Sequence, residues 1–211
     1  MISSYRLGDL VLLSLTPQEQ AKLLEEHPHS IGAKYIRKRF NHLGQTNIKL
    51  ITNIVLEYIN EIKHRLPQDI MDSIVIHLRL GDVVAGTTDH ESEKRPYKPE
   101  YLKKIIRDSP YKRYVIGACF FAETSSTNVD ECRHISNIYL NQVLQELNAE
   151  HFNSGSADVD LCLGVLAKEF VQGRGFYSKL IVEIRKQLKL PCIECPTHDT
   201  ENPRVNYERT F

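Results

Sequence analysis

The feature that most constrains the fold is an alternation of short β-rich runs and helical patterns that begins at residue 73. Short strands that alternate with helices predict a parallel sheet covered by helices, because a parallel pair needs a crossover connection. The predicted strands are 73–76, 113–121 and 151–152, with a last edge strand at Ile193, and the predicted helices between them are 101–106, 135–147, 159–170 and 178–190.

The first third of the chain has a helical pattern without strands. Thr16, Pro17 and Glu19 form a helix start, with Thr as the cap, Pro at the first helical position and Glu completing a capping box. In the segment 47–65 apolar residues recur at spacings of three and four, which predicts an amphipathic helix. We therefore expect an α/β protein with three parts: a small, mostly helical N-terminal part (1–68), a Rossmann-like parallel sheet (69–200) and a polar tail (201–211).

Composition excludes several function classes. The chain of 211 residues carries 27 Lys and Arg against 27 Asp and Glu, so it lacks the global positive field expected of a nucleic-acid-binding protein. It has no apolar run near the roughly 20 residues that a membrane-spanning helix needs, and we predict no transmembrane segment and no signal peptide. The five cysteines are an odd, scattered set, which favours free thiols in a reducing, cytoplasmic environment over a disulfide framework.

The polar residues at the end of the first predicted strand, in the sequence IVIHLRLGDVV (74–84), indicate a ligand site. Ligands bind at the carboxyl ends of strands in open parallel sheets, and alternation places His77 and Arg79 on one face. Gly81 permits a turn, Arg79 can bind a phosphate or diphosphate through two N–H groups, and Asp82 can orient that Arg or hold a sugar hydroxyl. The alternative is an Arg79–Asp82 ion pair that only fixes a loop.

Several motifs carry a family resemblance. His77-Leu-Arg79-Leu-Gly81-Asp82 resembles the H-x-R-x-G-D motif of the fucosyltransferase-like GT-B glycosyltransferases, the group of α1,2-, α1,6- and protein O-fucosyltransferases. Residues 97–101 resemble the Lys-Pro-x-x-Tyr-Tyr stretch that follows this motif in the family. Residues 156–171 and 173–178 resemble its Asp-containing helix and the S-x-F-S loop after it. The resemblance covers about residues 70–190.

The resemblance implies an enzyme that transfers fucose from GDP-fucose to a hydroxyl of a glycan or protein. It implies that Arg79 contacts the β-phosphate of the donor and stabilises the leaving diphosphate, while His77 and Asp82 support the sugar-diphosphate pocket. Such enzymes usually work without a metal, and no cofactor is expected beside the GDP-sugar substrate. The donor-binding residues implied in this way are Gly81, Asp158, Asp160, Arg174, Gly175, Phe176, Tyr177 and Ser178.

Roles within that donor set also come from the resemblance. Asp158 or Asp160 faces the base or ribose, Phe176 packs near the nucleotide, and Ser178 with neighbouring amides at a helix N-terminus holds phosphate oxygens. Arg174 stands where the family has the first serine of its loop, and it either adds a second phosphate contact or faces water.

The chain departs from the family in two further places. Leu80 stands where many members carry a second Arg, and 68 mostly helical residues are too few for the full first domain of a GT-B enzyme. The alternative function is therefore a non-catalytic nucleotide-sugar-binding or structural module of the same fold.

Two patterns in the sequence resemble metal-binding sites, and each also has a simpler explanation. Cys192 and Cys195 have zinc spacing, and Cys132 with His134 could complete a site, but a single Cys-x-x-Cys is more often a pair of small apolar residues. The Asp-Val-Asp sequence at 158–160 resembles the metal-binding D-x-D of GT-A glycosyltransferases. Acidic residues are expected in the first turn of a helix in any case, so we predict no metal site.

Overall fold

The computed structural model describes residues 16–39, 47–81, 84, 96–107, 109–117, 119–120, 129–173 and 175–194. Within these ranges the protein has a five-stranded, all-parallel sheet with helices packed on both faces. This architecture confirms the predicted α/β, Rossmann-like class. The division at residue 68 and the assignment as one half of a GT-B fold stay predictions.

The described helices and strands follow one another in a regular order. The α-helices are α1 (Pro17–Glu26), α2 (Ile31–Arg39), α3 (Ile48–Ile62), α4 (Pro99–Ile106), α5 (Val129–Leu147), α6 (Ala157–Leu166) and α7 (Phe176–Gln187). The strands are β1 (Ser73–His77), β2 (Leu80–Gly81), β3 (Lys112–Ile116), β4 (Cys119–Phe120), β5 (Glu150–His151), β6 (Glu169–Val171) and β7 (Cys192–Ile193).

The strand order of the main sheet places β1 at its centre. The order is β5-β3-β1-β6-β7, and β1 pairs in parallel with β3 and with β6. The chain first runs from β1 outward through β3 to β5, then returns to the other side of β1 and runs outward through β6 to β7. The direction of winding therefore changes between β1 and β6, and such a switch point leaves a crevice at the carboxyl ends of the two strands.

Each face of the sheet packs against its own set of helices. Every residue of β1 is buried, and Val75 joins the hydrophobic cluster formed with α1, α2, α3, α6 and α7. Ile74 and Ile76 point the other way, into the cluster formed with α4 and α5. A strand that is covered on both faces must read as a continuous apolar run, which is the pattern of residues 74–76.

The N-terminal helices form as the sequence predicts. Thr16 Oγ1 accepts a hydrogen bond from the Glu19 amide at 3.3 Å, and Glu19 Oε2 accepts one from the Thr16 amide at 2.7 Å, so the capping box is confirmed. In α3 the apolar stripe faces inward, with Ile51, Ile54 and Ile59 buried. These helices share one hydrophobic cluster with α6 and α7, the helices that pack on the same face of the sheet.

One predicted helix is wrong at its end. The sequence predicts a helix over 159–170, but α6 ends at Leu166, and Glu169–Val171 form β6 beside β1. Residues 159–171 are a nearly continuous apolar run, and periodicity alone does not separate a buried helix from a buried strand. The break occurs at Ala167, whose backbone is extended, with φ −50° and ψ 151°.

A buried arginine stabilises this break. Arg185 of α7 is fully buried, and its guanidinium donates to backbone carbonyls at the end of α6 and before β7. These N···O distances lie between 2.7 and 3.2 Å, and the acceptors are Gly164, Val165, Ala167, Lys168 and Pro191. The last carbonyls of a helix have no hydrogen-bond donor within the helix. At the end of α6 the Arg185 guanidinium supplies the donors that a further helical turn would have supplied.

We predict that Arg185→Met lowers the free energy of unfolding by about 3 kcal/mol or more, because five carbonyls, three of them in buried hydrogen bonds, lose a charged donor while the side-chain volume is retained. Urea denaturation followed by circular dichroism measures the change. Lys186→Met, an exposed position in the same helix, serves as the control and should leave the unfolding curve almost unchanged. Equal urea midpoints for Arg185→Met and the wild type would contradict the capping role.

Candidate functional site

The candidate site lies at the switch point of the sheet, where the carboxyl ends of β1 and β6 meet. His77 is the last residue of β1, and Arg79 lies two residues beyond it. The segment after β6 contains Gly173 and Gly175 and leads into the N-terminus of α7. Two loops that are distant in sequence therefore border one crevice.

His77 is a buried polar residue of this site. Its side chain is on the same side of the sheet as α7, and its ring centroid lies 5.3 Å from that of Tyr177. Among the described residues its Nδ1 has no hydrogen-bond partner. Burial, together with the positive charge of Arg79, lowers the pKa of His77 to about 3. His77 is thus neutral at neutral pH and adds no charge to the site.

Gly173 allows the two loops to approach one another closely. A Cβ atom at Gly173 would lie 2.2 Å from the backbone oxygen of His77 and 2.4 Å from its Nδ1. The first of these contacts involves the backbone of the central strand, which cannot rotate away as a side chain can. Residue 173 must therefore be glycine for β1 and the loop after β6 to pack as they do.

Arg79 lies against the start of α7. A Cβ atom at Gly175 would be 3.1 Å from Arg79 Nη1, and Gly175, with φ 90°, is the N-cap residue of α7. Within the described part of the chain no side chain caps this helix. The N-terminus of a helix carries free N–H donors and a partial positive charge, so it attracts anions. The Arg79 guanidinium and the N-terminus of α7 are therefore two positive groups that lie side by side.

The two glycine loops are each fixed by a buried serine. Ser178 Oγ accepts a hydrogen bond from the Gly173 amide at 2.8 Å, and Ser136 Oγ, in α5, accepts one from the Gly81 amide at 2.9 Å. The side chain of Ser178 is thus engaged in shaping its own loop, while its amide lies in the first turn of α7. The Gly81 amide is directed toward α5.

The two acidic residues predicted for the donor site lie in the first turn of α6. Asp158 Oδ2 accepts the Ile31 amide at 2.8 Å, at the start of α2. Asp160 Oδ1 accepts the hydroxyl of Ser154 at 2.6 Å and its amide at 3.2 Å. Burial raises the pKa of both carboxyl groups. Each therefore holds a neighbouring part of the chain in addition to any contact with a ligand.

Tyr177 connects these acidic residues with the crevice. Its hydroxyl donates to the carbonyl of Ala157, the first residue of α6, at 2.6 Å, while its ring lies beside that of His77. Burial, together with the nearby Asp160 and Asp158, raises the pKa of the phenol. The Tyr177 side chain is therefore uncharged at neutral pH, and it connects His77 of β1 with the start of α6.

Not all predicted site residues are brought together. His77, Arg79, Gly175 and Tyr177 converge at the crevice, whereas Asp158 and Asp160 lie one step away, at the start of α6. Asp82 and Arg174, like the side chain of Phe176, lie outside the described residues, and so does the alternative Arg79–Asp82 ion pair.

Sequence reasoning missed Ser136 and gave Gly173 no role of its own. The one signal for Ser136 is a small polar residue on a predicted amphipathic helix, next to Ile135.

The described residues contain no cluster of three or more His, Cys, Asp or Glu side chains that could hold a metal ion. Cys192 is a half-buried free thiol whose pKa is raised by burial, and Cys195 lies outside the described ranges. Among the helices of the described part, none is long and apolar enough to cross a membrane. The cytoplasmic location stays a prediction.

The matches between this chain and known proteins come from solved structures. No protein-family model and no curated protein matches the chain. Among solved structures it is similar to the protein O-fucosyltransferase POFUT1 in complex with GDP-fucose, with 14% identity over 68% of this chain and 49% of that chain and a TM-score of 0.41. A POFUT1 complex with GDP gives 15% identity over 80% of this chain and 61% of that chain, with a TM-score of 0.37.

These structural matches are partial and distant. The chain spans about half the length of the POFUT1 structure with GDP-fucose. The apo-form of POFUT1 gives a TM-score of 0.35 at 14% identity, over 68% of this chain and 48% of that chain. Because every one of these TM-scores is below 0.5, the likeness does not establish an activity for this chain.

The depressed pKa of His77 predicts a pH dependence of stability. The unfolded state binds a proton near the ordinary pKa of about 6.5 and the folded state only near 3, so the unfolded state holds more protons between these values. Stability should therefore fall as the pH is lowered from 6.5 toward 3, by about 2–3 kcal/mol at pH 4.5 from this group alone.

We predict that His77→Phe, which cannot titrate, removes this part of the pH dependence. Urea denaturation at pH 7.5 and pH 4.5 gives the difference for the wild type and the variant. His64→Phe, at an exposed position, is the control and should keep the wild-type slope. If His77→Phe loses as much stability on acidification as the wild type, His77 does not titrate as described.

Gly173→Ala should lower the free energy of unfolding by about 2 kcal/mol, because the new methyl group meets the backbone of β1 and overpacking typically costs 1–3 kcal/mol. Gly155→Ala is the matched control. Gly155 has φ +72°, but a Cβ atom added there would have nothing within 4 Å, so only backbone strain of about 1 kcal/mol is expected. Urea midpoints that rank the two variants in the opposite order would show that the contact at residue 173 relaxes.

Proposed function

We propose that this protein is a glycosyltransferase that binds a GDP-sugar, most directly GDP-fucose, and transfers the sugar to a hydroxyl of a glycan or protein. The observation that carries the proposal is the position of Arg79 against Gly175, at the N-terminus of α7. The diphosphate of the donor would lie between the guanidinium and the first amides of the helix.

The chemistry of sugar transfer fits this arrangement. When the bond between the sugar and the diphosphate breaks, negative charge develops on the leaving phosphate oxygens. Positive groups that are already in place stabilise this charge without having to reorganise, which is usually the largest contribution to catalysis. Arg79 and the N-terminus of α7 supply two such groups, so the proposal requires no metal ion.

The neighbouring residues keep the site suited to an anion. His77 is neutral and packs on Tyr177, which braces β1 against α6. In this proposal Asp82 supports the sugar-diphosphate pocket, Arg174 adds a second phosphate contact and Phe176 packs near the nucleotide. Asp158 or Asp160, at the start of α6, faces the base or ribose in the same proposal.

One observation favours the alternative of a non-catalytic nucleotide-sugar-binding module. The carboxylates of Asp158 and Asp160 already accept hydrogen bonds from Ile31 and Ser154. Each carboxylate therefore already has a role in holding the chain, which is sufficient for a module that only binds. Binding of the donor is common to both functions, and release of GDP from the donor belongs to the enzyme alone.

Isothermal titration calorimetry with GDP, GDP-fucose, GDP-mannose and UDP tests the binding site. We expect GDP and GDP-fucose to bind with and without EDTA, and Arg79→Ala to weaken GDP binding tenfold or more, because a charged contact of about 1.5–3 kcal/mol is lost. Arg133→Ala, an exposed Arg in α5, is the charge-matched control and should bind as the wild type does.

The outcomes separate the two functions. GDP release from GDP-fucose by the wild type and not by Arg79→Ala supports the enzyme, while tight GDP binding without any release, with every acceptor tried, supports the module. If no nucleotide binds, or if Arg79→Ala binds GDP as well as the wild type, the site has another role.

A further inference from the structure

Ser136 makes a buried contact that neither the motifs nor the proposed reaction require. It lies in α5 and is fully buried, and its Oγ accepts the amide of Gly81, which is 55 residues away in sequence. Gly81 is also buried and has φ 89°, in the left-handed region. A buried amide without a partner costs free energy, so this hydrogen bond determines which way the peptide between Leu80 and Gly81 can face.

The contact acts on the segment that carries Arg79. Glycine has more accessible backbone conformations than any other residue, so a loop that ends in Gly81 is not fixed by its own sequence. Leu80–Gly81 form β2, which pairs with β4, and the Ser136 hydrogen bond attaches the end of β2 to α5. Arg79 lies between this attachment and the end of β1, and its backbone is therefore held from both sides.

The second loop of the crevice is held in the same way. Ser178, also fully buried, accepts the amide of Gly173 and so fixes the segment between β6 and α7. Ser136 fixes the backbone of the loop that carries the Arg79 guanidinium. Ser178 fixes the backbone of the loop that leads to the N-terminus of α7. The distance between the two positive groups thus depends on two serine–glycine hydrogen bonds.

We propose that Ser136 is a positioning residue: through its hydrogen bond to the Gly81 amide it holds the Arg79 guanidinium at the N-terminus of α7, in place for a diphosphate. The identity of the ligand rests on the proposed function. The positional role does not, because it concerns the path of residues 78–81 and is measurable without ligand.

The first test is a double-mutant cycle on GDP affinity, measured by calorimetry. We expect Ser136→Ala to weaken GDP binding about tenfold in the wild-type background, because a misplaced charge loses most of its directed contact. In an Arg79→Lys background, where the planar two-pronged contact is already lost, the same change should have little effect. A weakening by the same factor in both backgrounds would overturn the proposal.

Two further variants at residue 136 separate the hydrogen bond from packing. Ser136→Thr keeps the hydroxyl acceptor and should restore binding toward the wild-type value. Ser136→Cys fills the same space with a poor acceptor and should behave as Ser136→Ala does. If Cys restores binding as well as Thr does, volume rather than the hydrogen bond is what matters.

Ser73→Ala is the matched control. Ser73 is equally buried, lies at the opposite, amino end of β1, and donates from Oγ to the carbonyl of Ile70 at 2.7 Å. Its loss should lower the urea midpoint and leave GDP affinity unchanged. Equal losses of GDP affinity in Ser73→Ala and Ser136→Ala would show that Ser136 only stabilises the fold, and would overturn its positioning role.

A measurement without ligand keeps the proposal testable if GDP does not bind. The NMR signal of the Arg79 Nε–H group in ¹⁵N-labelled protein reports the surroundings of the guanidinium. We expect this signal to move in Ser136→Ala and to stay in place in Ser73→Ala. A signal that is the same in Ser136→Ala and the wild type would overturn the positional role, whereas absence of GDP binding alone overturns only the proposed ligand.

Discussion

The parallel pairing of β1 with β3 on one side and β6 on the other is the constraint on which the rest of the structure depends. It requires β1 to be apolar on both faces, and it requires helical crossovers that wind outward in two directions. The change of direction opens a crevice at the carboxyl ends of β1 and β6. Whatever residues come after these two strands are brought together there, however far apart they lie in sequence. The site is in this sense a consequence of the sheet order.

The chemistry of the crevice depends on the residues that the two strands place in it. The Arg79 guanidinium and the N-terminus of α7 are both positive, and an anion bound beside them would be stabilised by both. His77 avoids adding to this charge because its burial keeps it neutral. Buried serines hold the glycine loops on either side through hydrogen bonds within the protein. The proposed donor, whose leaving group is a diphosphate, would need positive groups held in place in this way.

The sequence predicts those features that depend on local pattern. The alternation of strands and helices gives the parallel α/β class, the capping box gives the start of α1, and the apolar run with polar residues at its end gives β1 and the place of His77 and Arg79. The end of α6 and the strand β6 are missed, because they depend on Arg185, which meets those carbonyls only in the folded chain. Ser136 is missed for the same reason, since its partner Gly81 is remote in sequence and close only through the packing of α5 on β2.

The most direct test of the central claim is a titration of ¹⁵N-labelled protein with GDP, followed residue by residue through the backbone amide signals. The account predicts that the largest changes fall on residues 78–81 and on Gly173, Gly175 and the first turn of α7, on both sides of the switch point. Amides at the opposite, amino end of the sheet, such as those of Asp69 and Lys112, should stay in place. Changes that cluster at that amino end, or no changes at all with saturating GDP, would contradict the assignment of the crevice between β1 and β6 as a nucleotide-diphosphate site.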